Sequence, residues 1–260
     1  MDRNLSDETP KKALYSIRGL GKTFSGTFEA LSGIDLDIYE SECLLIAGAN
    51  GSGKTLLMKI LAGLAEPCHG KVTFNGMDLR ESKILLRRSV GLVFQDPDSQ
   101  IMGETVVEDI RFGPENLKLP PDEINKNLED TLSTLGLTPK REFSARHLSG
   151  GEKRRLAVAG ILAMGCETII MDEPFANLDW PGVIQVLNII ANLKKDRKTV
   201  IILTHELEKV LAFADRLVIL AGGKIRDSGD PEAVLNRLDP SWGVRDPRRA
   251  YRNAGDCTWL

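Results

Sequence analysis

Alternating apolar and polar residues near the start of the chain predict a strand with one exposed face. Its apolar positions are Leu31, Ile34, Leu36 and Ile38, with Gly33 out of step. Residues 71–74 and 217–220 are further strand candidates. The pairs Asn75-Gly76 and Gly222-Gly223 are turn signals, and the second predicts a hairpin between two strands.

Three other segments are apolar throughout rather than alternating: residues 44–47, 168–171 and 200–203. Continuous apolar runs of this length are typical of strands that are covered on both faces. Segments with helical periodicity separate them. The pattern therefore predicts a parallel α/β core with antiparallel strands attached.

The strand signal disappears between about residues 97 and 165. Helical periodicity occupies residues 123–135 and 152–164. Prolines punctuate the region at positions 114, 120, 121 and 139. We expect a helical subdomain of about 97–165 inserted into one domain of residues 1–239. The tail, 240–260, has no clear period, which favours a loosely packed or disordered end over a binding arm.

Composition narrows the class of protein. The net charge of −3 over 260 residues gives no electrostatic reason to expect a nucleic-acid partner. The longest apolar runs are far shorter than the ~20 residues of a membrane helix, and the polar first twelve residues do not resemble a secretory leader. We therefore expect a cytoplasmic location unless a partner holds the chain at a membrane. The four scattered cysteines favour free thiols over disulfides, and the three dispersed histidines indicate no metal site of their own.

A glycine-rich segment after the first apolar strand matches the P-loop pattern in full. Its residues are Gly48, Ala49, Asn50, Gly51, Ser52, Gly53, Lys54 and Thr55. Glycines let backbone N–H groups turn towards an anion, Lys54 places a cation on the β- and γ-phosphates, and Thr55 offers a hydroxyl to Mg²⁺. The alternative, an ordinary glycine-rich turn, explains neither the lysine nor the flanking strand and helix.

The predicted helix from Lys54 to about Leu64 points its positive N-terminus at the phosphates. Leu56 follows Thr55 at a position where a second hydroxyl could contact the α-phosphate. Loss of this contact weakens the free energy of nucleotide binding by on the order of 1 kcal/mol if it behaves as a single hydrogen bond. We expect nucleotide binding to survive this loss.

Two acids end the apolar strand at 168–171. Asp172 can hold the Mg²⁺ shell beside the P-loop, and Glu173 can orient or deprotonate the attacking water. A pair of surface acids at a strand end is the alternative. Gln95 and His205 end two other predicted strands and could face the γ-phosphate, although either residue alone is more often structural.

A second motif, Leu148-Ser149-Gly150-Gly151-Glu152, opens a basic helix and resembles the LSGGQ signature of the ABC ATPases. Physically it is another helix N-terminus suited to phosphate. A plain N-cap at Ser149 is true as local structure but leaves the double glycine unexplained. The resemblance implies a P-loop NTPase (RecA-like) parallel core with an N-terminal antiparallel β subdomain and an inserted helical subdomain.

The resemblance, which covers about residues 14–230, also implies roles for single residues. Gln95 would be the Q-loop glutamine and a ligand of the magnesium. Asp172 would be the magnesium aspartate, Glu173 the catalytic acid and His205 the switch histidine. Asp179 would be the firm member of the D-loop, where Asn177 and Trp180 stand in place of the frequent glycine and proline. Phe24 would stack on adenine, with a core phenylalanine as the alternative.

A narrower resemblance follows the Q-loop. The segments QDPDSQ (95–100), TVVEDI (105–110) and FGPENL (112–117) look like the energy-coupling-factor and cobalt-type ATPases. That resemblance implies ATP and Mg²⁺ as cofactors and uptake of a vitamin or of cobalt or nickel ions. Its implied partners are a second ATPase subunit, a transmembrane coupling subunit and a substrate-binding membrane subunit, and its implied location is the cytoplasmic face of the membrane.

Apolar residues after Gln95 suggest where a membrane partner would bind. We expect a groove in which Met102 is exposed, with a place in the core of the subdomain as the alternative for Ile110 and Phe112. The expected rim is Asp98, Glu104, Glu108 and Arg111.

Two other functions compete with transport. One is a non-transport ABC ATPase acting in DNA repair or translation, which would call for a coiled-coil insertion or a second P-loop. The other is a kinase or GTPase, which the segment 148–152 and His205 argue against.

Overall fold

Two β-sheets and eight α-helices make up the part of the chain, residues 12–24 and 28–248, that the computed structural model describes. The strands are β1 (Ala13–Phe24), β2 (Phe28–Tyr39), β3 (Cys43–Ala47), β4 (His69–Phe74), β5 (Met77–Asp78), β6 (Val90–Val93), β7 (Thr168–Asp172), β8 (Thr199–Thr204), β9 (Arg216–Ala221) and β10 (Lys224–Gly229). The helices are α1 (Lys54–Leu61), α2 (Lys83–Ser89), α3 (Val106–Asn116), α4 (Pro121–Thr134), α5 (Gly150–Ala163), α6 (Trp180–Lys195), α7 (Leu207–Val210) and α8 (Pro231–Asn236).

The larger sheet has the order β10-β9-β3-β8-β7-β6, and all its pairs are parallel except β9 with β10. Successive residues of β3 point to opposite sides. Leu45 and Ala47 join an apolar cluster with α5 and α6, whereas Leu44 and Ile46 join another with α1 and the smaller sheet. Covered faces on both sides explain the continuous apolar runs and confirm the predicted parallel core.

The smaller sheet, in the order β2-β1-β4-β5, is antiparallel throughout. In β2 the apolar residues named in the sequence are buried, and the residues between them are partly or fully exposed. The turn at Gly222-Gly223 closes the hairpin β9–β10, as predicted, and the predicted turn at Asn75-Gly76 joins β4 to β5. This arrangement confirms the antiparallel strands expected beside the parallel core.

Helices α3, α4 and α5 lie between β6 and β7. The sequence predicted α4 and α5 to within two residues at their starts but did not predict α3. The missed signal is a capping box: the Thr105 hydroxyl accepts a bond from the Glu108 N–H, and the Glu108 carboxylate accepts one from Thr105 N–H. No named strand lies in the described residues of 97–165, where Thr105 and Ser144 form one isolated bridge. The boundaries of the inserted subdomain remain a prediction.

Two expectations about segment ends were wrong. Helix α1 ends at Leu61 rather than near Leu64, because Gly63 takes a φ of +70° that leaves the helical region. The described part of the expected loose tail, residues 240–248, is packed: Val244 is 7 % exposed and belongs to the apolar core, and residues 240–242 contact β9. Arg248 also donates hydrogen bonds to Glu232 and Asn236 on α8. Residues 249–260 lie outside the described residues.

Cysteine placement agrees with free thiols. Cys43 and Cys166 are buried and unpaired, and burial raises the pKa of Cys43 to about 12 and that of Cys166 to about 11. Cys68 is free and exposed, and Cys257 lies outside the described residues. Among the described residues, no helix is long and apolar enough to cross a membrane, and no His, Cys, Asp or Glu cluster could hold a metal ion on its own.

Candidate functional site

The candidate site lies at the carboxyl ends of β3, β7 and β8, which are neighbours in the sheet. Ala47 pairs with Thr204, and Asp172 pairs with Leu203. Since parallel strands end at one edge, the segment after β3 and the acids after β7 come together there. The sequence motifs are therefore brought to one place by strand order alone.

The P-loop backbone has room only for glycine at its turning points. A Cβ on Gly48 would lie 2.2 Å from the Leu220 carbonyl, and one on Gly53, whose φ is +105°, would lie 2.7 Å from a Leu31 methyl. The first helical bond of α1 joins Leu57 N–H to Gly53 at 2.9 Å. The first-turn N–H groups of Lys54, Thr55 and Leu56 therefore precede the helical bonds and can bind an anion.

Lys54 is almost fully buried, and its ammonium group binds the main chain of the P-loop. Its Nζ donates to the carbonyls of Gly48 at 2.7 Å and Ala49 at 3.2 Å, and it lies 3.4 Å from Glu173 Oε1. The Ser52 hydroxyl is buried and has no hydrogen-bond partner among the described residues. A buried cation beside an unpaired hydroxyl suits a phosphate group, so the loop fits a nucleotide.

Thr55 and Asp172 meet across the site. The Thr55 hydroxyl donates to Asp172 Oδ2 at 2.8 Å, while Asp172 Oδ1 is buried without a partner among the described residues. Burial raises the pKa of Asp172, and the Thr55 bond opposes that rise. A hydroxyl and a carboxylate with a spare oxygen are hard oxygen donors, the set that Mg²⁺ prefers. The residues present therefore fit a magnesium ion.

Besides the contact with Lys54, three polar contacts hold the Glu173 carboxylate in place. Its Oε2 accepts bonds from the Thr204 hydroxyl at 2.9 Å and from His205 N–H at 3.3 Å, and its Oε1 lies 3.0 Å from His205 Nδ1. Its φ of +46° is a left-handed conformation that a glutamate adopts only under constraint. The described geometry excludes the alternative of two solvated surface acids, because Asp172 and Glu173 are only 5 % and 6 % exposed.

Thr204 was missed in the sequence. It is fully buried between β8 and Glu173, and its hydroxyl also accepts a bond from Glu206 N–H at 3.0 Å. A polar residue at the end of an otherwise apolar strand, directly before His205, was the available signal.

Gln95 is exposed at the end of the β6 segment. Its side chain lines a cleft with Asp98, Gly150 and Asn177, and among the described residues no hydrogen bond joins its amide to Asp172 or Glu173. Its main-chain carbonyl is bound instead by Arg154 at 2.9 Å. The role of Gln95 at the magnesium remains a prediction, and Arg154 is a site residue that the sequence did not single out.

A second candidate anion-binding site, called the cradle below, forms where α5 begins. Ser149 is the N-cap: its hydroxyl accepts a bond from Glu152 N–H at 3.4 Å, and Glu152 Oε2 accepts one from Ser149 N–H at 2.9 Å. Lys140 lies 2.6 Å from Glu152, and this pairing lowers the pKa of Glu152 to about 2. Leu148 is buried and belongs to the apolar core. The cradle proper is therefore Ser149, Gly150, Gly151 and Glu152.

The cradle opens into a cavity of about 430 Å³ whose other wall is the start of α6. That wall includes Asn177, Asp179, Pro181 and Gly182. Asp179 caps α6 by accepting a bond from Gly182 N–H at 3.0 Å. Asn177 has a φ of +58°, a conformation that asparagine tolerates best after glycine, which explains why asparagine can stand at this position. No P-loop residue lines this cavity.

Two further predicted surfaces are exposed. Phe24 ends β1 with 47 % of its side chain exposed and Lys22 Nζ 5.6 Å from its ring centre, so it is not a core phenylalanine. An apolar groove of about 450 Å³ runs beside α3 and α5; its walls include Met102, Phe112 and Ile161. Met102 is 67 % exposed and Phe112 is 48 % exposed, whereas Ile110 is core.

The four residues expected at the rim of this groove, Asp98, Glu104, Glu108 and Arg111, are not among the described residues that line it. Three of them make local contacts: Asp98 pairs with Lys153, Glu108 accepts a bond from Glu104 N–H, and Arg111 pairs with Glu115. Their place at the rim stays a prediction. Asp109 lines the groove instead, and its carboxylate accepts bonds from Met102 N–H at 2.7 Å and Gly103 N–H at 2.9 Å. Burial raises the pKa of Asp109.

The family described as ABC transporter matches this chain over residues 31–176. Among curated proteins, a putative ABC transporter ATP-binding protein of Halobacterium salinarum is 41 % identical over 234 residues, covering 90 % of this chain and 100 % of that protein. The energy-coupling factor transporter ATP-binding protein EcfA of Methanocaldococcus jannaschii is 38 % identical, covering 85 % of this chain and 81 % of that protein. EcfA1 of Symbiobacterium thermophilum is 42 % identical, covering 81 % of this chain and 74 % of that protein.

Solved structures give the same picture. The chain superimposes on cbiO1 of Clostridium perfringens, described as part of the ABC transporter complex cbiONQ, with a TM-score of 0.80 and 33 % identity. That alignment covers 86 % of this chain and 91 % of cbiO1. A nucleotide-free ATP-binding cassette from an ABC transporter matches with a TM-score of 0.79 and 26 % identity, covering 89 % of this chain and 98 % of the cassette.

Proposed function

The chain belongs to the family of ABC transporter ATP-binding subunits, and we propose that it hydrolyses ATP between two such subunits to drive uptake through membrane partners. It is the ATP-binding and ATP-hydrolysing subunit of an energy-coupling-factor type transporter, in line with its family match and its relatives. The observation behind the proposal is a divided site. The P-loop, Asp172 and Glu173 share one sheet edge, whereas Ser149 and its glycines line a cavity without any P-loop residue.

In the proposed binding mode the triphosphate lies along the P-loop, residues 48–55, and the main chain of Leu56 completes this phosphate-binding loop. Lys54 would exchange its bonds to the Gly48 and Ala49 carbonyls for bonds to phosphate oxygens. Thr55 and Asp172 would hold Mg²⁺, with Gln95 as a further ligand. When bound, the ion neutralises charge on the β- and γ-phosphates. Phe24, exposed beside Lys22, would stack on the adenine.

Glu173 is the proposed general base. Its carboxylate is bound by Thr204 and by His205 N–H, which fixes its direction, and it lies 3.4 Å from Lys54, the residue assigned to the γ-phosphate. A water between Glu173 and the phosphate would be oriented and deprotonated there. His205, 48 % exposed and 3.0 Å from Glu173 Oε1, would hold that carboxylate and contact the phosphate that leaves.

The second ATPase subunit, identical or paralogous, would supply the missing half of each site. The cradle of Ser149, Gly150 and Gly151 presents first-turn N–H groups of a 14-residue helix to an anion. Closure of two subunits would bring this cradle onto the γ-phosphate held by the opposite P-loop. Asp179, on the wall of the same cavity, would lie at that interface.

The membrane partners would bind the groove beside α3 and α5. An exposed apolar surface containing Met102 and Phe112 is suited to a short amphipathic helix of a transmembrane coupling subunit. A substrate-binding membrane subunit would complete the complex, so the chain would sit peripherally on the cytoplasmic face of the membrane. The transported solute, a vitamin or cobalt or nickel ions, would be chosen by the membrane subunits. A role in DNA repair or translation is not favoured, because the named relatives are transporter subunits.

Co-purification tests this proposal. The tagged chain should be co-expressed with polytopic membrane proteins encoded beside its gene, and the complex should show Mg²⁺-dependent ATP hydrolysis and uptake in vesicles. The Glu173→Gln variant should assemble equally well but show neither activity. Hydrolysis that DNA or ribosomes stimulate, without any membrane complex, would favour the non-transport alternative.

A further inference from the structure

The segment 240–248, which follows α8, lies against the P-loop. Its residue Gly243 ends a short 3₁₀ turn, Pro240–Trp242, with a φ of +70°. A Cβ built on Gly243 would lie 3.2 Å from the Cβ of Ala49, a residue of the P-loop. That separation is tighter than ordinary van der Waals contact, so an added methyl group would require one of the two segments to move.

Packed residues on both sides of Gly243 hold this segment in place. Trp242 packs against the apolar core, and Val244 is buried in it. The Arg248 guanidinium then donates a hydrogen bond to the Glu232 carboxylate on α8 at 2.6 Å. Because its neighbours are fixed by the folded chain, Gly243 is a firm support for the P-loop, and close packing transmits any added volume to the residue it touches.

Ala49 connects this support to the phosphate site. Its main-chain carbonyl accepts hydrogen bonds from Ser52 N–H at 3.1 Å and from Lys54 Nζ at 3.2 Å. Ser52 and Lys54 carry the buried hydroxyl and the buried cation that suit a phosphate group. A shift of Ala49 would therefore move the turn before Ser52 and the carbonyl that holds Lys54. Nothing in the ATP chemistry described above uses Gly243.

We propose that residues 240–248 position the P-loop through the contact of Gly243 with Ala49, and that this contact determines how tightly ATP binds. The inference rests on the proposed function only in taking the P-loop as the ATP site. Gly243 belongs to none of the motifs assigned to phosphate or metal, so it is a positioning residue that acts through Ala49. Glycine suits this position for two reasons, the positive φ and the lack of space for a side chain.

The first experiment titrates the full chain with ATP and Mg²⁺ in the Glu173→Gln background, where hydrolysis does not disturb the measurement. Gly243→Ala places one methyl group against Ala49, and we expect the dissociation constant of ATP to rise about tenfold. Gly136→Ala is the matched control, because Gly136 has a φ of +64° but a Cβ there would meet nothing within 4 Å. It should lose stability in urea through the same backbone strain and keep the parent's affinity for ATP.

The second experiment separates the contact from the backbone strain. Ala49→Gly removes the atom that the added methyl group would meet, while the φ of +70° at position 243 is unchanged. Gly243→Ala should therefore weaken ATP binding much less in the Ala49→Gly chain than in the parent, because the two changes act through one contact. The cost of the strained φ to the free energy of unfolding should remain in both chains.

Hydrogen exchange tests the same contact in the opposite direction, because coupling between two places is reciprocal. ADP with Mg²⁺ fills the P-loop without requiring a second subunit. Its binding should slow amide exchange in residues 240–248, although none of them belongs to the phosphate motifs. The control peptide is 121–134, helix α4, whose exchange ADP should leave unchanged.

The outcomes separate this inference from the proposed function. If the chain does not bind ATP at all, the proposed function fails and this inference fails with it. If Gly243→Ala binds ATP as tightly as the parent, if Ala49→Gly does not reduce its effect, or if exchange in 240–248 ignores ADP, only the positioning role is wrong. Should Gly243→Ala unfold, Gly243→Asn repeats the test, because asparagine tolerates a positive φ and brings the same Cβ against Ala49.

Discussion

The buried guanidinium of Arg154 donates a hydrogen bond to the main-chain carbonyl of Gln95 at 2.9 Å. The same nitrogen lies 3.4 Å from the carbonyl of Ala176. Arg154 is 3 % exposed, and burial lowers its pKa. One side chain on α5 thus connects the helix of the Ser149 cradle to the segment after β6 and to the segment after Glu173. Arg154 therefore links the helix of the cradle to the main chain of Gln95 in this structure.

Arg154→Met should fold and bind ATP but hydrolyse it about tenfold more slowly, because the loss of charged hydrogen bonds loosens three segments that must align together. The variant should still fold, because two nitrogens of the Arg154 side chain already lack hydrogen-bond partners among the described residues. An apolar side chain of similar volume therefore suits the site. Steady-state kinetics measures the rate of hydrolysis, and nucleotide titration measures ATP binding separately. Lys153→Met, which removes only the Asp98 pair, is the control and should keep normal turnover.

Glu173→Gln should retain ATP binding and lose turnover by several orders of magnitude, because the amide keeps the shape of the side chain but cannot accept a proton. Mg²⁺ binding should persist, since Thr55 and Asp172 are unchanged. Phosphate release measures turnover, and nucleotide titration measures ATP binding. Turnover near that of the parent chain would remove Glu173 from the base role.

Ser149→Arg should leave nucleotide affinity of the monomer nearly unchanged and abolish both pairing and turnover, because bulk and charge then fill the cavity proposed for the partner's γ-phosphate. The substitution also removes an N-cap, which costs about 1 kcal/mol. Ser149→Ala removes the same hydroxyl without adding bulk or charge and is the comparison variant, which should keep more pairing than Ser149→Arg. Normal hydrolysis by the arginine variant would refute the signature role.

Met102→Glu should leave the isolated chain folded and able to bind ATP but should prevent co-purification with a membrane coupling subunit. Its side chain is 67 % exposed, so a charge meets water in the free chain and an apolar partner in the complex. Ile84→Glu changes an equally exposed residue outside the groove and should still co-purify. Unfolding of Met102→Glu would instead assign Met102 to the core.

The pairing of Glu152 with Lys140 predicts a pH dependence of stability. The folded-state pKa of Glu152 is lowered to about 2 from an ordinary value near 4.5, so its contribution is complete above pH 4.5. That contribution is lost as pH falls from about 4.5 towards 2. The free energy of unfolding should therefore differ between the parent and Glu152→Gln by about 1 kcal/mol or less at neutral pH. Urea titrations should show this difference shrink below pH 4.5; a difference independent of pH would contradict the assignment.

Local patterns determined much of the fold. The apolar runs of β3, β7 and β8 and the alternation of β2 predicted a covered parallel sheet with antiparallel strands, because burial on one or two faces dictates those patterns. The phosphate motifs were equally readable, since the backbone turns at Gly48 and Gly53 exclude any side chain.

Other features depended on contacts between distant residues and could not be predicted. The helical periodicity after Ser149 gave no hint that Arg154 reaches Gln95, 59 positions earlier, and the strand pattern did not indicate that Thr204 binds Glu173, 31 positions away. The packed residues 240–248 are a similar case, because Val244 is buried only where the folded chain brings the apolar core to it. These pairings follow from strand order and helix packing.

The sequence by itself determined the chemistry of this protein: the lysine, hydroxyl and carboxylates of a nucleotide site, and the glycines that let a backbone surround phosphate. Each of those features depends on residue type within a few positions of the chain. Only the tertiary structure decided which carboxylate oxygens are paired, that Met102 is exposed and Gly243 lies against Ala49, and that the cradle at Ser149 forms a wall without the P-loop. The physical reason is that exposure and pairing depend on what the folded chain brings near each side chain, and no local pattern specifies those neighbours.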